Sequence, residues 1–332
     1  MNAWRAETFG RPGEVLKLVE IEVPRPGPGE ALLRVLATNI GLPDRMMVEG
    51  RYFLVSSPPV IPGQEVVGIV EAAGAGYPFP VGSRVIGGAK CTASSGGLAQ
   101  YCLSPAKGAV LAAGDMPDEQ AAAFLGTFHV AYVGLVNRAR AQPGETLLVL
   151  GGTGGTGSTA TQLAKTLGLT VIATARDDRG AAFCRGQGAD HVIDTKAGSL
   201  SEQALAFTGG KGVDIVYDTV GPPLVDQALD VIAIGGRYIL IGFAGGADFP
   251  TIEPLEILKR GISVTGALHS IRTLEERDEA ITELGRMWKE RKIWMPIDKV
   301  VPFAEVPDAL ERLGAGVLGK QIALVNREYS GL

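Results

Sequence analysis

Hydrophobic positions change rhythm twice along the chain. From residue 1 to about 125, short apolar runs such as Ala31–Ala37 and Val66–Glu71 are broken by Gly and Pro turns, with Pro24-Arg25-Pro26-Gly27-Pro28-Gly29 the stiffest of them. Such punctuation predicts a mostly β region. Apolar strands then alternate with helical stretches. Thr146–Leu150, Leu169–Thr174, His191–Ile193, Val213–Tyr217, Arg237–Ile241 and Ile262–Thr265 read as strands. Between the first two, Ser158–Leu167 sets Ala160, Leu163, Ala164 and Leu167 on one helix face. Strands separated by helices imply a parallel sheet covered on both faces, a doubly wound α/β fold. After about residue 267 the alternation stops. Leu274–Arg291 reads as a surface helix, Val306–Leu313 as a shorter one and Lys320–Val325 as a last strand. This tail is too short to fold alone and is expected to rejoin the N-terminal β region. The predicted organisation is therefore a β domain over 1–125, a dinucleotide-type domain over 126–266 and a closing segment over 267–332.

The sharpest local signal follows the first of the alternating strands. Leu147-Leu148-Val149-Leu150 runs into Gly151-Gly152-Thr153-Gly154-Gly155-Thr156-Gly157 and then into a helix. A strand, a Gly152-x-Gly154-x-x-Gly157 turn and a helix in that order make a dinucleotide fingerprint, where the glycines alone would be a flexible loop. Gly152 permits the tight turn, Gly154 lets backbone approach a pyrophosphate, and Gly157 lets the helix pack on the strand. N–H groups of Gly152 to Gly157 at the helix N-terminus then face phosphate.

The end of the second strand selects the cofactor. An NAD site places Asp or Glu there, against the ribose hydroxyls. Here the chain reads Ala173-Thr174-Ala175-Arg176-Asp177-Asp178-Arg179, with no acid nearest Ala175. Arg176 and Arg179 could grip a 2′-phosphate, or could be solvated side chains offset by Asp177 and Asp178. NADP(H) is favoured over NAD(H). Thr219, Gly242, Phe243 and Ala244 fall at C-terminal ends of predicted parallel strands, where ligands bind in such sheets.

Composition narrows the partners. In 332 residues the net charge is −5 and no Lys/Arg stripe forms, which argues against nucleic acid. No stretch approaches the roughly 20 apolar residues that span a bilayer. The three cysteines, Cys91, Cys102 and Cys184, are far apart and form no CxxC pair. Together with an N-terminus lacking a signal-like apolar run, that fits a reducing cytoplasm.

Several further segments carry a family resemblance over nearly the whole length: Pro62-Gly63-Gln64-Glu65-Val66-Val67-Gly68, Val81-Gly82-Ser83-Arg84-Val85, Gly97-Leu98-Ala99-Gln100-Tyr101, Gly212–Gly221, Gly235-Gly236-Arg237-Tyr238 and Gly319-Lys320. In order and spacing the chain resembles the medium-chain dehydrogenase/reductase superfamily, and within it the zinc-independent quinone oxidoreductase and enoyl reductase branch. The resemblance implies a partly open, GroES-like β-barrel catalytic domain beside a Rossmann domain, an active site in the cleft between them, and a homodimer formed through the Rossmann edge strand at Ile262–Ala267.

Zinc members of that superfamily carry Cys in Ala-Thr-x-x-Cys-x-x-Asp and His in Gly-His-Glu. Here Ala37-Thr38-Asn39-Ile40-Gly41-Leu42-Pro43-Asp44 puts Gly41 at the thiolate position, and Gln64 replaces the histidine. Neither is a zinc donor. Without a Lewis acid, alcohol oxidation is disfavoured, and a quinone or α,β-unsaturated carbonyl is the expected hydride acceptor.

By the same resemblance, Tyr52 matches a tyrosine near the substrate of enoyl reductases; its hydroxyl could bond a carbonyl or relay a proton, or it could be an ordinary half-buried aromatic. Asn39 matches an active-site asparagine, Gln64 stands at the vacated metal position, and Asp44 and Glu65 match acids that are more often structural. Val130 replaces the usual nicotinamide-contacting threonine, with Thr127 or His129 as substitutes. Thr195 stands where the branch often has an adenine-stacking tyrosine, Lys320 could reach a phosphate, and His269 could line the cleft. The expected activity is zinc-free, NADPH-dependent hydride transfer to a small quinone or enone. An enoyl thioester reductase and a non-catalytic NADPH-binding protein are the rivals.

Overall fold

The structure, a computed structural model, describes residues 1–222, 224–268 and 273–326. His269 lies outside them. The chain divides into two compact units, Met1–Leu125 with Ile297–Leu332 and Gly126–Pro296.

The second unit is built on a six-stranded parallel sheet whose spatial order is His191–Asp194, Thr170–Ala175, Thr146–Leu150, Val213–Asp218, Ile232–Leu240, Ser263–Gly266. Numbered along the chain within this unit, the order is 3-2-1-4-5-6, the doubly wound Rossmann arrangement. Direction of winding reverses between Thr146–Leu150 and Val213–Asp218, which makes the C-terminal ends of those two strands the natural ligand crevice. Helices cover both faces, so the central strands are continuous apolar runs rather than alternating ones. Leu147, Leu148, Val149, Leu150, Ile215 and Val216 have no exposed surface. Each such side chain contributes about 1.5–3 kcal/mol on burial. The Ile232–Leu240 strand starts five residues before the expected Arg237; its register against Val213–Asp218 is irregular between Val213 and Ile215, where the loose Gly235-Gly236 pair is absorbed.

The first unit holds a sheet in the order Ile297–Pro302, Lys320–Leu324, Glu30–Ile40, Glu65–Ala73, Arg84–Gly88, Val110–Leu111, with Tyr101–Pro105 also paired to Glu30–Ile40. All pairs are antiparallel except Ile297–Pro302 with Lys320–Leu324. Glu30–Ile40 is the spine, pairing with three other strands. Its register with the last strand, Gln321 opposite Ile40 and Ile322 opposite Asn39, carries Lys320 to Gly41. The fold is thus a GroES-like β domain with a Rossmann domain inserted in the chain.

The return to the first unit comes at residue 297, thirty residues later than the expected 267. The Leu274–Lys289 helix belongs to the Rossmann unit: Ala280, Leu284 and Met287 are buried, Met287 Sδ lies 3.8 Å from Thr166 Oγ1, and the Trp294 N–H donates to Gln162 Oε1 at 2.9 Å. Its amphipathic period predicts a packed face but does not say against which unit. No helix among the described residues is long and apolar enough to cross a membrane.

Candidate active site

The glycine turn closes the Thr146–Leu150 strand and opens the Gly155–Thr166 helix, three residues earlier than the apolar period alone predicts. A methyl group on Gly157 would fall 2.2 Å from the Gly151 carbonyl oxygen, and one on Gly152 would fall 2.8 Å from Ala173 Cβ. Those two glycines are required by the protein's own packing. Gly154 is different: a Cβ there would meet nothing nearer than the Gly151 oxygen at 3.6 Å, and its φ of −76° and ψ of 163° suit any residue. The space over Gly154 is left open, a cradle that a side chain would fill. Helical bonding begins with the Ser158 N–H donating to the Gly154 carbonyl at 2.9 Å, and no side chain caps the helix. The N–H groups of Gly155, Thr156 and Gly157 therefore have acceptors only outside the helix, at the positive end of its dipole. A diphosphate fits this turn.

Two hydroxyls, one from the neighbouring Thr170–Ala175 strand and one from just past the end of Val213–Asp218, hold it in place. Thr174 Oγ1 accepts from the Gly151 N–H at 2.9 Å, and Thr219 Oγ1 donates to the Leu150 carbonyl at 2.8 Å. Thr153 sits against the next helix, Asp178–Gly186, its methyl 2.9 Å from where a Gly180 Cβ would be. At the N-cap of that helix, Asp177 accepts from the Gly180 N–H at 2.7 Å. This acid is occupied by capping; Arg176 follows the strand end and Arg179 lies in the first turn of the helix. Thr195 donates to the Ala175 carbonyl at 3.2 Å, which pins the third strand end to the second.

The facing wall consists of Thr219–Gly221 and Gly242–Gly245, joined by backbone bonds from the Ala244 N–H to the Thr219 carbonyl at 3.3 Å and from the Gly245 N–H to the Val220 carbonyl at 2.7 Å. Phe243 lies in the second of these loops. Thr127 and His129 are buried in the Asp118–Tyr132 helix.

In the first unit, Asn39, Gln64, Tyr52 and Asp44 gather around the end of the Glu30–Ile40 spine. Asp44 is buried in the Leu42–Val48 helix and accepts from the Gly41 and Gly63 N–H groups, each at 2.8 Å. Burial pushes its carboxyl above the usual range, against these donors and the charge of Lys320. Lys320, half-buried, brings Nζ to 3.6 Å from the position of a Gly41 Cβ; burial pulls its pKa down while Glu65 and Asp44 oppose that. Tyr52 is 9% exposed, and burial raises its phenol pKa, as do Asp44 and Cys91 nearby. The Gln64 amide lies beside the Tyr52 hydroxyl and works the other way. Even so, Gln64 Nε2 and Asn39 Oδ1 are buried without a well-formed hydrogen bond in the protein. Buried polar atoms are rarely left so. A donor and an acceptor are thus available to a ligand.

Zinc does not fit this ground. Gly41 supplies no donor and Gln64 supplies an amide. Among the described residues no group of three His, Cys, Asp or Glu is arranged to hold a metal.

Residues 155–284 match the family model described as zinc-binding dehydrogenase, and residues 27–128 match the alcohol dehydrogenase GroES-like domain. A mycobacterial protein solved with NADPH is 31% identical, with 98% of this chain and 100% of that one covered and a TM-score of 0.89. The chain belongs to the medium-chain dehydrogenase/reductase superfamily, in its quinone oxidoreductase branch. The quinone oxidoreductase of Thermus thermophilus, also solved with NADPH, is 32% identical over 98% of this chain and 100% of that one, at a TM-score of 0.81. Human quinone oxidoreductase is 29% identical over 329 residues, 98% of each chain.

Sequence reasoning overlooked Thr174 and Asp218. Thr174 is a predicted strand residue whose hydroxyl acts across the sheet, and only the register shows it. Asp218 stands in the Gly212–Gly221 segment, where an acid ending a buried strand was the available signal.

Proposed function

We propose that this chain is a zinc-independent, NADPH-dependent oxidoreductase that passes hydride to a quinone or an α,β-unsaturated carbonyl. The observation that carries the reading is the open space over Gly154, beside uncapped N–H groups at a helix N-terminus. When bound, NADPH supplies the hydride. Gly152, Thr153, Gly154, Gly155, Thr156 and Gly157 would wrap the diphosphate; Thr219, Gly242, Phe243 and Ala244 would line the nicotinamide side. Arg176 and Arg179 would take the 2′-phosphate. That choice over NADH is supported by the diversion of Asp177 into capping. Lys320 lies beside Gly41 among Asp44 and Glu65, and once the turn takes the diphosphate and the two arginines the 2′-phosphate, no phosphate is left for it. On the acceptor side, Gln64 Nε2 and the Tyr52 hydroxyl would donate to the carbonyl oxygen as charge builds there, and Asn39 would orient the nicotinamide amide. Binding and orientation supply most of the rate.

A thioester reductase needs cations for an anionic carrier. Arg51, next to Tyr52 in sequence, and Arg45, in the Leu42–Val48 helix, are both paired with Glu49, with Nε to oxygen distances of 2.9 and 2.7 Å. That favours a small uncharged acceptor. Asn39 Oδ1, buried without a partner beside Tyr52 and Gln64, favours an acceptor-binding enzyme over a non-catalytic binder. A homodimer through the Ser263–Gly266 edge is supported by exposed Leu255 and Leu258 on the preceding helix. The buried free thiols fit a cytoplasmic, reducing setting. NADPH oxidation with benzoquinone, an alkenal and crotonyl thioester tests the activity. Turnover of the first two is expected, without stoichiometric zinc in the purified protein. Turnover of the thioester alone, or of none, refutes it.

A further inference from the structure

Asp218 is a buried carboxylate with no cationic partner among its hydrogen bonds, and the reaction as proposed gives it no task. It ends the Val213–Asp218 strand at the switch point, with no exposed surface. Its Oδ1 accepts from the N–H groups of Val220 and Gly221, both at 2.8 Å. Its Oδ2 accepts from the Tyr238 hydroxyl, also at 2.8 Å. Tyr238 is fully buried in the adjacent strand, the one that leads into Gly242–Gly245. The Asp218 carbonyl in turn accepts from the Ile241 N–H at 2.8 Å and the Gly242 N–H at 3.1 Å. One residue thus folds the Thr219–Gly221 turn over its side chain and receives the start of the second loop on its backbone. Thr219 then reaches the Leu150 carbonyl at the root of the glycine turn.

Burying a carboxylate without a counter-charge is costly unless every lone pair has a use. Burial pushes the Asp218 pKa up, and these three donors oppose it. An apolar pair would hold the two strands together more cheaply. What the apolar pair lacks is direction, since only an acceptor can fix two successive N–H groups in one turn conformation.

We infer that Asp218 and Tyr238 are a positioning pair: they set the two loops that carry Thr219, Gly242, Phe243 and Ala244, and so govern cofactor affinity without touching the cofactor. The inference rests on the reading of the glycine turn as a dinucleotide site. Removing the hydroxyl should let Oδ2 and the turn relax, weakening NADPH while leaving the diphosphate grip at Gly154 intact.

The test is an NADPH titration, read by reduced-nicotinamide fluorescence, of the wild type, Tyr238→Phe, Asp218→Asn and the double variant, with a thermal melt of each without cofactor. Tyr238→Phe keeps the ring and its packing, so it is the variant expected to fold in every case. Its Kd should rise about 3–10-fold, the size of one charge-assisted hydrogen bond partly recovered by relaxation. The double variant should bind no more weakly than the weaker single one, because both remove the same link. Binding by both single variants within twofold of the wild type, whatever their melting temperatures, overturns the positioning role and leaves the glycine-turn reading standing. No NADPH binding by the wild type overturns that reading first, and this inference with it.

Discussion

Gly154 and Gly157 lie three residues apart in one turn, yet an alanine at each should fail differently. At Gly157 the added methyl meets backbone, 2.2 Å from the Gly151 oxygen and 2.8 Å from its carbonyl carbon, and neither can step aside. Overpacking of this kind costs about 1–3 kcal/mol. In a domain of this size that corresponds to a fall of about 2–12 °C in melting temperature. At Gly154 nothing lies within 3.6 Å and the backbone is extended. Alanine is a poorer N-cap than glycine, by a few tenths to about 1 kcal/mol. It also has a less disordered unfolded state, which returns about 0.4–1 kcal/mol. These offset, and Gly154→Ala should melt within about 2 °C of the wild type. Its methyl would instead occupy the space where a pyrophosphate approaches. Losing a single charge-assisted phosphate contact is worth about 1.5–3 kcal/mol, a rise of roughly 10–100-fold in the NADPH Kd. Calorimetric melts without cofactor and fluorescence titrations with NADPH measure both quantities. Gly154→Ala protein that binds NADPH as the wild type does would refute the assignment of that space to a ligand.

Other outcomes follow from the same geometry. Tyr52→Phe should lower kcat with an enone by about 10²-fold, with little change in NADPH affinity, if its hydroxyl supplies the proton. Because burial raises the Tyr52 pKa above its ordinary value of 10.0, the phenol stays protonated near neutrality. Any alkaline fall in kcat/KM from its ionisation should therefore lie above about pH 10, and a fall well below that pH would assign the proton elsewhere. The Arg176→Ala/Arg179→Ala variant should bind NADPH about 10-fold or more weakly, by loss of charged hydrogen bonds, and NADH almost unchanged; equal losses for both cofactors would contradict a 2′-phosphate site. Burial pushes Cys91 and Cys102 up to about 12 and Cys184 up to about 11. At about pH 8 only a minute fraction of each is thiolate, so iodoacetamide should label native protein slowly and unfolded protein fast, as mass spectrometry would record.

Buried parallel strands are continuous apolar runs over most of their length, and that is why Thr146–Leu150 and the Ile215-Val216-Tyr217 stretch of Val213–Asp218 are readable from the pattern. The glycine turn is readable because strand, spacing and helix coincide. Three features were not. The helix begins inside the motif, at Gly155, where glycines carry no apolar period. The Leu274–Lys289 helix advertises a buried stripe without naming its partner. Thr174 and Lys320 take their places from register: Thr174 bonds the Gly151 N–H, 23 residues earlier, across the sheet, and Lys320 reaches Gly41 because Gln321 pairs with Ile40. Asp177 was legible in retrospect, since an acid three residues before Gly180 at a strand-to-helix junction is an N-cap pattern.

The central claim is a diphosphate held by backbone at the Gly152–Gly157 turn. Titrating the purified wild-type protein with NADPH and with NADH, and following the reduced-nicotinamide fluorescence, tests it most directly. One saturable site per chain, tighter for NADPH, is the predicted result; no saturable binding of either nucleotide would contradict the account.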